Sequence, residues 1–169
     1  MKKPFLIFGL AVLVSVLGTS IPMAALNAGA SLTDSEVDET GFNADDTNWK
    51  VFGGWRSSSR EWFGIEAQYV EFGEFDFGPG ISLKSTSLDV FALAAFDVWR
   101  FELFGKAGLA WWDTDVSGSS SDDSGTDFAY GVGAAFRLGD RVHIRGEWEV
   151  FELDNTDLDM FSLGLDFKF

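Results

Sequence analysis

The chain contains no cysteine. A disulfide framework and a thiolate metal site are therefore closed to it. It contains one histidine, His143. Basic residues are scarce: 12 Lys and Arg stand against 27 Asp and Glu, a formal net charge of −15. Phosphate binding draws on Lys and Arg patches, so this balance argues against nucleic acid as a partner. Beyond the first 24 residues no stretch carries an apolar stripe of helical period. Disorder is also disfavoured, because 16% of the residues are aromatic and disordered chains are poor in such side chains. A length of 169 residues suits one domain.

The one long apolar run is FLIFGLAVLVSVLG at residues 5–18, preceded by MKK. A short positive region followed by an apolar stretch predicts a secretory signal peptide over 1–24. The run is short for a spanning helix, which needs roughly 20 residues. Small residues allow cleavage anywhere from 20 to 30, with Gly18-Thr19-Ser20 and Ala28-Gly29-Ala30 as candidates. Removal takes Lys2 and Lys3 and no acid, leaving ten basic and 27 acidic residues, net −17.

What the mature segment has is alternation of period two, the strand signal. Ile65, Ala67 and Tyr69 share a face against Glu66 and Gln68. Over 88–98 the apolar face runs from Leu88 to Val98, against Asp89 and Asp97. Over 102–112, Leu103, Ala107, Leu109 and Trp111 oppose Glu102, Lys106 and Gly108. Phe128 to Leu138 and Val142 to Val150 repeat the pattern, the latter against His143, Arg145, Glu147 and Glu149. WKVFGGW at 49–55 is a weaker case, and FSLGLDFKF at 161–169 alternates without a fault. These are seven strands. MAALNAGASL supplies an eighth, with Leu26, Ala28, Ala30 and Leu32 on one face. Cleavage after Ala30 would remove it, so cleavage near Ser20 to Ala25 is expected.

Short and long connections alternate. The short ones are SSSR at 57–60, Trp99-Arg100 and Gly139-Asp140, the last a two-residue hairpin signal. The long ones are 34–47, 73–87, 113–127 and 152–159. This predicts an all-β, eight-stranded antiparallel up-and-down barrel over 25–169, of the kind that crosses an outer membrane. A soluble barrel alternates too, with its faces inverted. Three features favour the membrane. Trp49, Trp55, Phe63, Tyr69, Trp111, Phe128, Trp148, Phe161 and Phe169 lie near strand ends, as interfacial girdles do. The polar face is rich in Gly and Ala, with few and spaced charges: Glu66, Glu102, Lys106, Arg145 and Glu147. Phe169 lies within a strand, as a full member of an edgeless wall can.

FGGWRSSSREWFGIEAQYVEFGEFD resembles the second hairpin of the OmpA-like outer-membrane β-barrel family. KAGLAWWDTDV resembles that family's fifth strand, and FSLGLDFKF its last. The resemblance covers 25–169 and implies periplasmic N- and C-termini, long loops outside, and multi-pass insertion in the outer membrane of a Gram-negative cell envelope. It implies that the C-terminal strand, with Phe161, Leu163, Leu165, Phe167 and Phe169, is read by the outer-membrane assembly machinery. The family's periplasmic peptidoglycan-binding domain does not appear in the sequence, so cell-wall anchoring is not expected.

Inside so small a barrel a lone buried charge is very costly. Glu66 and Arg145 each lie about five residues from a short turn, on strands that face each other across the lumen. An ion pair between them is therefore expected. The resemblance implies the same two positions in a lumenal plug or gate. That gate's further Lys and Glu fall on Leu93 and Ala135 here, leaving Lys106, Glu102 and Glu147 as substitutes. The four long connections hold 17 of the 27 acids and one basic residue, Lys84. Asp113/Asp115 and Asp122/Asp123 lack any EF-hand spacing and read as solvated loop charge, with no specific metal site. No cofactor and no enzymatic activity are expected, since an activated nucleophile needs a nearby base and His143 lies at the short-turn end. The expected partners are the lipid bilayer, lipopolysaccharide and the assembly machinery, with the barrel a monomer. Two functions remain: a structural or surface-interaction barrel with a filled lumen, or a narrow, low-conductance porin-like channel gated by Glu66 and Arg145.

Overall fold

The structure, a computed structural model, describes residues 26–37, 48–58, 62–76, 82–117, 123–152 and 157–169. The signal segment, its cleavage site, the FGPG stretch at 77–80 and the side chains of Asp115, Asp122 and Asp123 lie outside what is described.

Eight strands follow one another: β1 (Leu26–Val37), β2 (Asn48–Arg56), β3 (Phe63–Asp76), β4 (Ser82–Val98), β5 (Phe101–Ser117), β6 (Asp123–Arg137), β7 (Val142–Glu152) and β8 (Asp157–Lys168). Each pairs antiparallel with the next. β8 returns to β1 over a continuous register from Asn27↔Lys168 to Val37↔Leu158, and the barrel closes. The Phe169 amide extends this seam by donating to the Leu26 carbonyl at 3.0 Å. Closure leaves no edge and pairs the backbone within the wall, which hydrocarbon surroundings demand.

The alternation sorts the side chains. Ile65, Val90, Leu103, Leu109, Val132 and Leu163 point outward and are 40–64% exposed. Glu66, Gln68, Lys106 and Arg145 point inward and are buried. A soluble protein rarely exposes so continuous an apolar surface, so the outer wall faces lipid. Trp49, Tyr69, Phe128, Trp148 and Phe161 ring it toward the long-connection end, with Trp49 and Tyr69 centroids 5.8 Å apart. Phe101, Phe136, Phe167 and Phe169 ring the opposite end. Val150 departs from the pattern. It belongs to the outward set yet is 4% exposed.

The connection assignments need correction, since pairing also takes in 34–37 and 157–159 of the other two long connections. Pairing continues through much of 73–87 and 113–127, including Asp76↔Ser82 and Ser82↔Ser117. Just past the girdle, Ser85↔Thr114 and Thr86↔Asp113 put polar residues on both faces. The apolar alternation stops where the wall leaves hydrocarbon, while backbone pairing needs no apolar side chains. β4 and β5 consequently reach 17 residues each, against the 9–11 or so that cross a bilayer. The Gly139-Asp140 turn is also wider than two residues: the last pair is Arg137↔His143, and the Leu138 amide donates to the Val142 carbonyl at 3.0 Å. Leu138 leaves the strand face on which its apolar character placed it. Trp99-Arg100 does form a two-residue link between Val98 and Phe101, with Trp99 at φ 57°.

Candidate functional site

β3 and β7 lie opposite each other and project Glu66 and Arg145 into the lumen. The guanidinium forks onto the carboxylate, Nη1 to Oε2 at 2.6 Å and Nη2 to Oε1 at 2.8 Å. Arg145 also reaches Glu147 two residues along its own strand, Nη2 donating to Oε2 at 3.0 Å. Its Nε lies 2.8 Å from Glu147 Oε1, an ion-pair contact bent too far for a hydrogen bond. Two rings clamp the guanidinium, with its central carbon 4.3 Å from the centroids of both Phe52 and Phe104.

Lys106 of β5 joins the pair. Its Nζ lies 3.0 Å from Glu66 Oε1, 2.6 Å from Glu147 Oε2 and 3.0 Å from Glu149 Oε1. It donates to Gln68 Oε1 at 3.0 Å and sits 4.6 Å above the Phe91 ring. Lys50 of β2 pairs with Glu149 and lies 3.2 Å from Glu147 Oε1. Gln68 donates from one nitrogen to Asp89 Oδ2 and Glu149 Oε1, each at 2.8 Å, and Ser87 donates to Asp89. These residues form one connected, buried network. It holds three cations, Lys50, Lys106 and Arg145, and four carboxylates, Glu66, Asp89, Glu147 and Glu149. Among the described residues Asp89 has no ion-pair partner and rests on neutral donors.

Most of the expected lumenal charges therefore meet, and the spacing read from the sequence is replaced by a cluster. Glu102 is the exception. It sits at the short-turn end, accepting from Arg56 Nη2 at 2.9 Å and Lys168 Nζ at 2.5 Å. Beside it, Asn27 donates to Asp166 Oδ1 at 2.9 Å. Lys50, Gln68, Asp89 and Glu149 are members that sequence reasoning left out of the set. Their signal was present: each falls on the inward phase of its strand.

Apolar layers bound the network. On the long-connection side Val70, Phe72, Ala110, Ala129, Phe151 and Met160 pack together with Phe91. Phe72 and Phe151 meet edge to face at 5.9 Å. On the other side lie Leu93, Ala95 and Phe104. The β8–β1–β2 wall differs. Ser31, Thr33, Ser35, Asn48 and Ser162 each carry a buried oxygen with no hydrogen-bond partner among the described residues. The polar face is thus more aromatic than its glycine and alanine content suggested.

Phe161, Leu163, Leu165, Phe167 and Phe169 all point outward, 43–64% exposed. His143 is buried at the short-turn end opposite Asp166 in the β7–β8 register. Among the described residues no three His, Asp or Glu side chains are grouped to hold a metal ion.

The family model for the outer membrane protein beta-barrel domain matches residues 9–169. A 22 kDa outer membrane protein of Rhizobium leguminosarum bv. viciae is 31% identical over 111 residues, covering 62% of this chain and 53% of that protein. The match thus spans about half the length of that relative. Among solved structures, Ail, the attachment invasion locus protein of Yersinia pestis, crystallised with the heparin analogue sucrose octasulfate, superposes with a TM-score of 0.65 at 18% identity. That likeness covers 86% of this chain and 97% of the Yersinia chain. Neisserial surface protein A superposes with a TM-score of 0.62 at 17% identity, over 85% and 96% of the two chains. At these identities the two structures speak for the fold alone.

Proposed function

The chain belongs to the outer-membrane β-barrel protein family, and from that premise we propose that it is a sealed barrel acting through the surface it presents. It sits in the lipid bilayer of the outer membrane. The observation that carries the sealed reading is the layering of the lumen. The ionic network lies between two apolar clusters, so breaking the Glu66–Arg145 pair alone leaves packed apolar side chains on both sides of it. The short turns and both termini face the periplasm in this reading, and the long connections face outward. Signal cleavage falls upstream of Leu26, which keeps β1 whole against β8. The barrel acts as a monomer in this reading, and the outward-facing stripe of β8 serves the assembly machinery.

The long connections carry 17 acids and one lysine. That charge selects partners with a basic face, or lipopolysaccharide bridged by divalent cations. It does not suit a polyanion such as the heparin analogue seen with the Yersinia barrel.

One observation favours a second reading. The unpaired oxygens on β8, β1 and β2 line one side of the lumen above Lys50, and a hydroxyl-lined strip suits a narrow polar path. Planar-bilayer recordings separate the two. The sealed reading expects near-zero conductance from wild type and from the Glu66→Ala, Arg145→Ala double variant. Discrete openings in the double variant would establish the gated channel instead.

A further inference from the structure

The outer wall at the short-turn end holds a guanidinium that no carboxylate among the described residues claims. Arg100 stands in the β4–β5 turn, exposed, with its Nη2 donating to the Arg137 carbonyl at 3.0 Å. The backbone returns the contact, the Arg137 amide donating to the Arg100 carbonyl at 3.0 Å. The guanidinium carbon lies 5.1 Å from the Phe136 centroid, and Phe136 in turn packs on Phe101 at 5.1 Å. Arg137, its neighbour, is committed to Asp97. Among the described residues Arg100 has no acidic partner. The side chain is therefore oriented by a hydrogen bond and a ring, and its remaining N–H groups stay free. An arginine fork held this way matches the oxygens of a phosphate.

Its position restricts which phosphate. Phe101 and Phe136 belong to the interfacial aromatic ring, the level at which lipid headgroups lie. Directly toward the bilayer centre the wall becomes shallow. Gly105 and Ala134 face outward between the exposed Leu103 and Val132, and a side-chain carbon added at Gly105 would meet nothing nearer than 3.9 Å. A shallow trough thus begins beyond the Phe101–Phe136 pair at Ala134 and steps across to Gly105, between Leu103 and Val132. We propose that Arg100 and this trough form a binding site for an anionic glycerophospholipid, with the phosphate on the guanidinium and an acyl chain along the trough. The site rests on the outer wall facing lipid and is independent of whether the lumen conducts or which end faces the periplasm.

The test uses the refolded barrel in nanodiscs containing equal parts of phosphatidylcholine and phosphatidylglycerol. Lipid retained after mild detergent extraction is counted by native mass spectrometry. The expected result is one phosphatidylglycerol per barrel, retained several-fold over phosphatidylcholine. Arg100→Gln should abolish the preference, and Gly105→Leu, which fills the trough, should reduce total retention. Heat-modifiable migration on SDS gels checks that each variant is folded. Equal retention of the two lipids by wild type, or an Arg100→Gln barrel that keeps the wild-type preference, would overturn the site.

Discussion

Arg145 and Glu66 meet as a bidentate fork across the full width of the lumen, with the guanidinium held between the Phe52 and Phe104 rings. Strands β3 and β7 are not sheet neighbours. The pair is thus a strut between opposite walls, in a place where neither charge has water to fall back on.

Removing one end of that strut should cost more than removing both. Arg145→Ala leaves Glu66 and Glu147 to share Lys106 and Lys50 in the interior, and loss of one partner of a buried pair costs about 3–5 kcal/mol. Glu66→Ala together with Arg145→Met removes the charge from both sides and should cost clearly less than the sum of the single changes. Urea unfolding in lipid, followed by tryptophan fluorescence, measures both, and strict additivity would contradict a direct coupling.

Gln68 is the neutral hinge of the network, since Asp89 and Glu149 both accept from its Nε2 while its Oε1 accepts from Lys106. Gln68→Leu conserves much of the volume and strips three contacts. A destabilisation of about 1–3 kcal/mol is expected from the orphaned groups. Asn in place of Gln, one methylene short, should recover only part of it. A neutral Leu variant in the same unfolding experiment would mean the amide is replaceable.

The β8–β1 seam depends on a bare backbone at Gly164. A side-chain carbon there would lie 2.1 Å from the Ala30 carbonyl oxygen and 2.3 Å from Ser31 Oγ. Gly164→Val should prevent closure and abolish the compact band of the unboiled sample on SDS gels. Gly146→Ala, where the nearest atom is 3.9 Å away, is the tolerated control. A Gly164→Val barrel that still migrates as the compact form would show that the seam can shift register.

The outward stripe of β8 makes a kinetic prediction. Phe167 and Phe169 contact the lipid side of the wall and contribute no lumenal contact, so Phe167→Ala with Phe169→Ala should leave detergent refolding nearly unchanged. Insertion in cells, scored as heat-modifiable protein in outer-membrane fractions, should fall several-fold. Equal losses in both assays would assign these side chains a purely structural role.

The barrel was legible in the sequence because lipid contact and lumenal packing impose opposite demands on alternate residues. Leu163 and Ser162 show this as plainly as any pair. The pattern fails beyond the girdles, where Thr114 and Asp113 sit on opposite faces and both are polar; there pairing persists without a written signal. The Glu66–Arg145 contact could be read from equal heights on facing strands. The rest of the network could not. Period two says that Lys50, Asp89 and Glu149 point inward, but only the barrel's register says at what height each arrives. Glu102 illustrates the same limit: its phase was right and its level was wrong. Sequence spacing along one strand carries no information about stagger between strands.

Strands β4 and β5, still paired at Ser82↔Ser117, carry the wall past the girdle at the long-connection end. Strand β5 continues for six residues past Trp111 in the girdle. At about 3.3 Å per residue and a tilt near 40°, β5 rises roughly 15 Å above the aromatic ring. Electrostatic influence in physiological salt fades over about 8 Å. The end of β5 at Ser117 therefore stands nearly two screening lengths from the aromatic ring. Charge carried beyond that level is largely screened from the membrane beneath it.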